Sequence, residues 1–142
     1  MSKIKRIAAA AVATAGLTTG VIVMASPAMA APGYATYSCT GFGSVDTEFV
    51  RSGTALTLNA DLSGSGGYTV PTGGATINAT LDGVGTPTAT LAAGHYDTIS
   101  LTSGPSFPTL THAPSQIILS IPGGTPSSVT CNLTADNGGW NV

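Results

Sequence analysis

The sequence has little charge, and beyond its first residues almost none of it is positive. Only 7% of the 142 residues are charged. After residue 30 there is no lysine, and Arg51 stands alone against five aspartates and Glu48, which gives this part a net charge of −5. Nucleic-acid phosphates and anionic membrane surfaces are bound by several lysines or arginines. The composition therefore excludes a nucleic-acid-binding protein and a polybasic membrane-surface protein.

Residues for catalysis are also scarce. Histidine occurs only as His95 and His112, and Glu48 is the only glutamate. A Ser-His-Asp site could use His95 and Asp97, but the G-x-S-x-G motif that presents a nucleophilic serine is absent. Asp46 and Glu48 occupy alternate positions of a predicted strand, which favours two solvated carboxylates over a glycosidase pair. We predict that the protein is not an enzyme; a small secreted hydrolase using His95 or Glu48 is the minor alternative.

Metal-binding signals are missing as well. His95, Asp97 and His112 could bind a metal only if separate strands brought them together, whereas zinc ligands usually lie closer in sequence. The segment 136–139, Asp-Asn-Gly-Gly, departs from the calcium-loop pattern D-x-[DN]-x-[DN]-G and indicates a plain turn. The sequence predicts no metal and no cofactor.

The first residues have the layout of a secretory signal peptide. A basic start precedes an uncharged apolar run, and Ala28-Met29-Ala30 matches the A-x-A cleavage signal. We predict a helical signal peptide at residues 1–30, followed by a single secreted domain at residues 31–142, extracellular or associated with the cell surface. The run from Ile7 to Ala25 approaches the length of a membrane span, so an uncleaved anchor is the alternative.

Both cysteines, Cys39 and Cys131, lie in the predicted mature domain. In an oxidising compartment two cysteines most simply form one disulfide. Neither cysteine belongs to a C-x-x-C motif or has a nearby cation that would lower a thiol pKa. The sequence therefore predicts a structural disulfide between Cys39 and Cys131.

Short segments of alternating apolar and polar residues run through the mature domain. The eight predicted strand segments are 37–39, 45–50, 56–62, 75–81, 89–91, 99–101, 117–121 and 129–133, of which 117–121 is apolar on both faces. Glycine and proline fall between them, as expected of turns. No 3.6-residue period is present, so no helix is predicted here. The predicted fold class is all-β, an antiparallel immunoglobulin-like β-sandwich of about 7–9 short strands.

Two short cysteine motifs lie near the ends of the domain, Tyr37-Ser38-Cys39-Thr40 and Val129-Thr130-Cys131. Together with the export signal and the threonine-rich alternation, they resemble the small immunoglobulin-like domains secreted by actinobacteria. Many of those domains have no known function. The resemblance therefore implies a fold and a compartment, and it implies no activity.

Binding is then the expected function. Trp140, Tyr68 and Tyr96 provide aromatic rings among many Thr, Asn and Ser residues, the combination that sugar recognition uses. Trp140 either stands exposed near the C-terminus or folds back over one end of the sandwich. We predict a non-catalytic module that binds an extracellular protein or a cell-envelope glycan. The alternative is a carrier of a small apolar ligand between the sheets.

Overall fold

The structure, a computed structural model, describes residues 31–85 and 87–142. The predicted signal peptide lies outside these residues. In the described part the chain forms ten strands and one short 3-10 helix. The strands are β1 (Gly33–Cys39), β2 (Gly43–Ser52), β3 (Ala55–Asp61), β4 (Tyr68–Val70), β5 (Ala75–Leu81), β6 (Thr88–Leu91), β7 (Gly94–Tyr96), β8 (Thr98–Thr102), β9 (Gln116–Ser120) and β10 (Ser128–Asp136), and the 3-10 helix is Ser63–Ser65. The all-β prediction is confirmed.

Eight of the strands form one closed antiparallel barrel. Their order is β1-β10-β9-β5-β6-β8-β3-β2, with β2 paired back to β1. Closure is weakest between β6 and β8, where only Thr88 and Thr102 pair. The predicted antiparallel strands are confirmed, whereas the two separate sheets expected of an immunoglobulin-like sandwich are replaced by this barrel. Alternation shows which side chains face inward but not which strands pair, so it could not reveal the closure.

Each of the eight barrel strands overlaps a predicted segment, although β1 begins four residues before the predicted 37–39. In β3 and β5 the apolar positions face the interior, so Leu56, Leu58, Ile77 and Ala79 are buried. The pattern misses β4 and β7, which pair with each other in a separate two-stranded sheet. Each of these strands has only three residues, too few to show a period of two.

The predicted disulfide joins Cys39 to Cys131 and is confirmed. The two cysteines lie opposite each other on the paired strands β1 and β10, and both are buried in the barrel. Tyr37, two residues earlier on β1, is fully buried and donates a hydrogen bond of 2.7 Å to the carbonyl oxygen of Pro114. Burial raises the pKa of this phenol well above its ordinary value. The disulfide therefore connects the first and last strands of the barrel inside its apolar core.

Residues 137–142 turn back across the lower end of the barrel, defined as the end where β1 begins and β2 ends. Trp140 packs edge-on against Phe49 with ring centroids 5.1 Å apart, and a Cβ at Gly33 would lie 2.6 Å from the Trp140 ring. Trp140 is only 7% exposed, and its buried Nε1 has no hydrogen-bond partner among the described residues. Of the two positions expected for Trp140, the exposed one does not occur. The ring instead folds back over one end of the barrel, where it fills apolar space.

Arg51 connects three parts of the chain at this lower end. Its guanidinium donates hydrogen bonds to the backbone carbonyl oxygens of Thr54 (3.1 Å), Phe107 (2.7 Å), Pro108 (2.7 Å) and Val142 (3.0 Å). The guanidinium carbon also lies 5.9 Å from the centre of the Phe107 ring, within the range of a cation–π contact. One cation thus joins β2 to the loop before β9 and to the C-terminal segment.

A two-residue turn follows β5 at the lower end. Asp82 and Gly83 both have positive φ angles, 49° and 77°. Leu81 and Val84 exchange backbone hydrogen bonds of 3.2 Å and 2.8 Å across them. This is the geometry of a type I′ turn, for which Asp-Gly is a preferred sequence.

The Asp82 carboxylate ties this turn to the start of β9. It accepts hydrogen bonds from the Ser115 backbone N–H (2.8 Å), the Ser115 hydroxyl (2.6 Å) and the Gln116 backbone N–H (2.9 Å). Partial burial raises the pKa of Asp82, but these hydrogen bonds, helped by the charge of His112, outweigh it and hold the pKa below its ordinary value. The folded state therefore stabilises the ionised form of the Asp82 carboxylate.

We expect Asp82→Asn to lower the free energy of unfolding at pH 7 by about 1 to 2 kcal/mol, because an amide cannot replace the charged acceptor of three hydrogen bonds. Because the folded pKa is lowered, the contribution of Asp82 is complete above about pH 4 and is lost as the pH falls through the folded value. Urea unfolding at pH 7 and at pH 3 should show that the difference in free energy of unfolding between wild type and Asp82→Asn is smaller at pH 3. In Asp136→Asn, which removes the charge from a carboxylate that accepts from one backbone N–H, that of Gly138, the loss should be smaller. An equal loss in both variants would contradict the prediction.

Candidate functional site

The three aromatic residues predicted to bind a ligand lie at opposite ends of the barrel. Tyr68 and Tyr96 face each other across the β4–β7 pair at the upper end, far from Trp140 at the lower end. Tyr68 is 7% exposed, while Tyr96 is half-buried and its hydroxyl donates to the carbonyl oxygen of Ala92 (2.8 Å). The structure therefore brings two of the three residues together. The rings of Tyr68 and Trp140 are too buried to stack against a sugar.

Of the residues in the hydrolase alternative, His95 and Asp97 lie together at the same upper end, and Glu48 lies apart from them on β2. His95 Nε2 lies 3.2 Å from a carboxylate oxygen of Asp97, and His95 Nδ1 lies 3.1 Å from the hydroxyl oxygen of Thr69. The sequence indicated His95 and Asp97 but missed Thr69, which reaches His95 only through the register of β4 and β7. The side chains of His95 and Asp97 are 54% and 66% exposed, so water screens their interaction. This arrangement links β4 to β7 on the surface.

Asp46 and Glu48 both point outward from β2, as predicted, and each has its own partners. Glu48 accepts hydrogen bonds from the Tyr34 hydroxyl (3.1 Å) and the Asn59 amide (3.2 Å). Asp46 accepts one from the Thr36 hydroxyl (2.7 Å). Burial, the hydrogen bond to Glu48 and the charge of Glu48 together raise the pKa of Tyr34. The two carboxylates thus take part in a ladder of cross-strand hydrogen bonds.

His112 does not join His95 and Asp97. His112 lies in the connection between β8 and β9 at the lower end, whereas the other two residues lie at the upper end. Among residues 31–85 and 87–142, no group of three or more His, Cys, Asp or Glu side chains could hold a metal ion. The structure therefore does not assemble these three residues into a metal site.

One side of the barrel presents a continuous uncharged surface, which we call the uncharged wall. It consists of the outward side chains of β5, β6, β9 and most of β10: Thr76, Asn78, Thr80, Thr88, Thr90, Gln116, Ile118, Ser120, Ser128, Thr130 and Asn132. Ile118, at the centre of this wall, is 38% exposed. Thr80 and Thr130 lie directly opposite Ile118 on the two neighbouring strands. The wall therefore surrounds one exposed aliphatic side chain with neutral hydrogen-bonding groups.

A small cavity of about 40 Å³ lies in the upper half of the barrel interior. Leu58, Ile99 and Ile117 are among the side chains that line it, and the disulfide forms part of its wall. The rings of Phe42 and Tyr68, 6.1 Å apart, lie at its upper rim. No pattern in the sequence indicates this cavity, because its walls come from strands that the barrel topology brings together.

Comparisons of the chain with protein-family models, with curated proteins and with solved structures find no match. The resemblance to secreted actinobacterial domains therefore stays a prediction. In the part of the chain that the structure describes, no helix has the length and apolar character needed to cross a membrane.

Proposed function

We propose that the protein is a secreted, non-catalytic module that binds an extracellular partner through the uncharged wall. The observation that carries this proposal is the uneven distribution of charge around the barrel. Asp46, Glu48 and Asp61 are the acidic side chains of β2 and β3, whereas the uncharged wall on the other strands has none. Charged residues are depleted at the centres of protein interfaces, because their hydration is costly to remove. The wall has that composition, with Ile118 at its centre.

A protein is the better partner than a glycan for this surface. Glycan recognition relies on exposed aromatic rings, and Tyr68 and Trp140 are both buried. An exposed isoleucine among hydroxyl and amide groups instead favours a partner that supplies both apolar contacts and hydrogen bonds. The remaining carboxylates keep the domain soluble through self-repulsion and stay outside the contact.

Export and the relation to small secreted immunoglobulin-like domains of actinobacteria belong to the same proposal. The disulfide supports them, because such bonds persist in oxidising compartments outside the cytoplasm.

The test is a quantitative capture experiment with protein recovered from the culture medium. Immobilised wild type is exposed to solubilised cell-envelope proteins, and the bound partner is identified and measured against an Ile118→Lys variant. We expect the substitution to reduce affinity by about tenfold, or about 1.4 kcal/mol, because the lysine would bring an unpaired charge into the contact.

Thr98→Lys is the matched control, since Thr98 is an exposed outward threonine on β8 that faces Asp61 of β3, away from the wall. It should leave capture unchanged. Equal capture by wild type and Ile118→Lys would contradict binding through the wall. Failure to find the protein in the medium would contradict export.

A further inference from the structure

We propose that the upper half of the barrel is a binding site for a small apolar molecule, which enters past a flap formed by β4 and β7. The site lies inside the barrel and does not involve the uncharged wall. This proposal can therefore be tested separately from the one about a partner at the uncharged wall.

The lining of the cavity defines the chemical class of the ligand. Three lining residues carry a hydroxyl, Tyr37, Thr47 and Tyr68, and the last of them lies at the rim. Tyr37 donates to the carbonyl oxygen of Pro114 (2.7 Å), and Thr47 donates to that of Ala35 (2.8 Å), so both inner hydroxyls are engaged. A ligand with a charge or a hydrogen-bonding group would lose its hydration without finding a partner inside. The site accordingly suits a hydrocarbon or another molecule without polar groups.

The volume of the cavity sets the size of the ligand. At about 40 Å³ it is smaller than the roughly 150 Å³ apolar cavity that admits benzene in an engineered protein. With the flap closed, the barrel can hold a guest the size of a xenon atom. A larger apolar guest requires Tyr68, at the rim, to move outward together with the flap that carries it.

The flap is built to move as one unit. Its two strands pair at Tyr68–Tyr96, Thr69–His95 and Val70–Gly94. On the outer side, His95 bridges the Thr69 hydroxyl (3.1 Å) and the Asp97 carboxylate (3.2 Å). These contacts join β4 to β7, and the flap is attached to the barrel at one edge, where β7 continues through Asp97 into β8 and the Asp97 carbonyl oxygen accepts a hydrogen bond from the Leu62 backbone N–H (2.7 Å). This gives the exposed Thr69–His95–Asp97 cluster a structural role that needs no catalysis.

Glycines flank β4 on both sides and provide the hinges. Gly66 and Gly67 precede the strand, Gly73 and Gly74 follow it, and all four have positive φ angles. Glycine adopts such angles without steric cost, so the chain can rotate at these points more easily than elsewhere. In the closed position the flap buries Val70 to 2% exposure, which favours closure when no guest is present. The structure thus combines a paired two-stranded flap, glycine-rich links on both sides of β4 and an apolar cavity beneath.

Xenon in solution is the probe for the cavity, with methyl-resolved NMR spectra of the whole protein as the readout. We expect saturable shifts of the methyl signals of Ile99, Ile117 and Leu119, which line the cavity, and no shift for Leu56 or Val142 in the lower half. No saturable shift, or shifts confined to the lower half, would overturn the proposal.

Two alanines on β3 provide a matched pair of variants. Ala60 lines the cavity, so Ala60→Leu should fill it and weaken xenon binding by about tenfold or more. Ala55 lies at the other end of the same strand and is half-buried as Ala60 is, so Ala55→Leu should leave binding unchanged. If Ala60→Leu folds poorly, Leu119→Ala gives the opposite test, because a larger cavity should bind xenon more tightly. Equal binding in wild type and in the variants at Ala60 and Leu119 would overturn the site.

Benzene tests the flap. Tyr68→Ala removes the ring at the rim and should increase benzene affinity by about tenfold over wild type. Amide hydrogen exchange should be faster in residues 68–70 and 94–96 than in β2 and β3, because flap opening needs no unfolding of the barrel. Unchanged benzene binding in Tyr68→Ala, or flap amides as protected as those of β2, would show that this segment is not an entry flap.

Discussion

Removal of the Cys39–Cys131 disulfide is expected to lower the free energy of unfolding by about 4 to 5 kcal/mol. The bond closes a loop with a sequence separation of 92 residues, so its loss releases a large amount of chain entropy in the unfolded state. In the folded state the same bond joins β1 to β10, the first and last strands of the barrel. Without it, the two chain segments that must meet to complete the barrel are linked only by backbone pairing and packing.

Urea unfolding of a double Cys39→Ala, Cys131→Ala variant measures this loss. Alanine is preferable to serine, because a buried serine hydroxyl would add a separate desolvation cost. Wild type unfolded in the presence of a thiol reductant is the second arm and leaves every side chain in place. Both arms should shift the urea midpoint downward by similar amounts. A loss below about 1 kcal/mol in both would show that the bond adds little to pairing already present between β1 and β10.

Much of the fold could be predicted from the sequence because the barrel strands alternate clearly. Leu58 and Ile77 mark inward positions, and threonines and asparagines mark outward ones, so strand location follows from a period of two. The disulfide followed from there being only two cysteines in the predicted mature domain. Closure of the barrel could not be predicted, because alternation does not show which strands pair, and β6 and β8 meet only at Thr88 and Thr102.

The features with the greatest bearing on function left weaker signals in the sequence. The flap strands are too short for a period, and the contact between Thr69 and His95 appears only when β4 and β7 pair. The low charge of the sequence was consistent with an uncharged surface, but the location of the uncharged wall depends on the order of four strands in the barrel. Trp140 had the surroundings of an exposed ring, with glycine before it and asparagine after it. Its burial against Phe49 reflects the path of the last residues under the barrel.

The two ends of the barrel are closed in different ways, which bears on where binding can occur. The lower end is filled by Trp140 and Val142 and is held by the guanidinium of Arg51. The upper end is covered by a flap whose buried anchors are Tyr68 and Val70 and whose links are rich in glycine. The opening that we propose therefore belongs to the upper end, where the links are rich in glycine and the cavity lies beneath.

Arg51→Met is expected to lower the free energy of unfolding by about 2 to 4 kcal/mol, with the largest structural effect at the lower end. Methionine retains an apolar side chain but cannot donate to the carbonyl oxygens of Phe107, Pro108 and Val142. Hydrogen bonds from a charged donor contribute about 1.5 to 3 kcal/mol each, and water can replace the donor at the exposed carbonyl of Pro108. The Phe107 carbonyl is partly buried, so its loss of a donor accounts for most of the effect, whereas the Val142 oxygen keeps a second donor, the Leu110 backbone N–H (2.6 Å). This role could not be predicted from the sequence, since backbone acceptors have no residue signature.

Trp140 is the only tryptophan in the chain and lies at the same lower end, so its fluorescence reports the change directly. In Arg51→Met we expect a red shift of the Trp140 emission at urea concentrations where wild type is still folded, because residues 137–142 detach before the barrel unfolds. Arg51→Lys is the matched control, because lysine keeps the charge but cannot donate to the same set of acceptors. Its free energy of unfolding should lie between those of wild type and Arg51→Met. The double-alanine disulfide variant should show no such early red shift, since its lesion is remote from Trp140. A stability loss in Arg51→Met equal to that in Arg51→Lys, with a single coincident transition in both, would show that Arg51 does not hold the C-terminal segment in place.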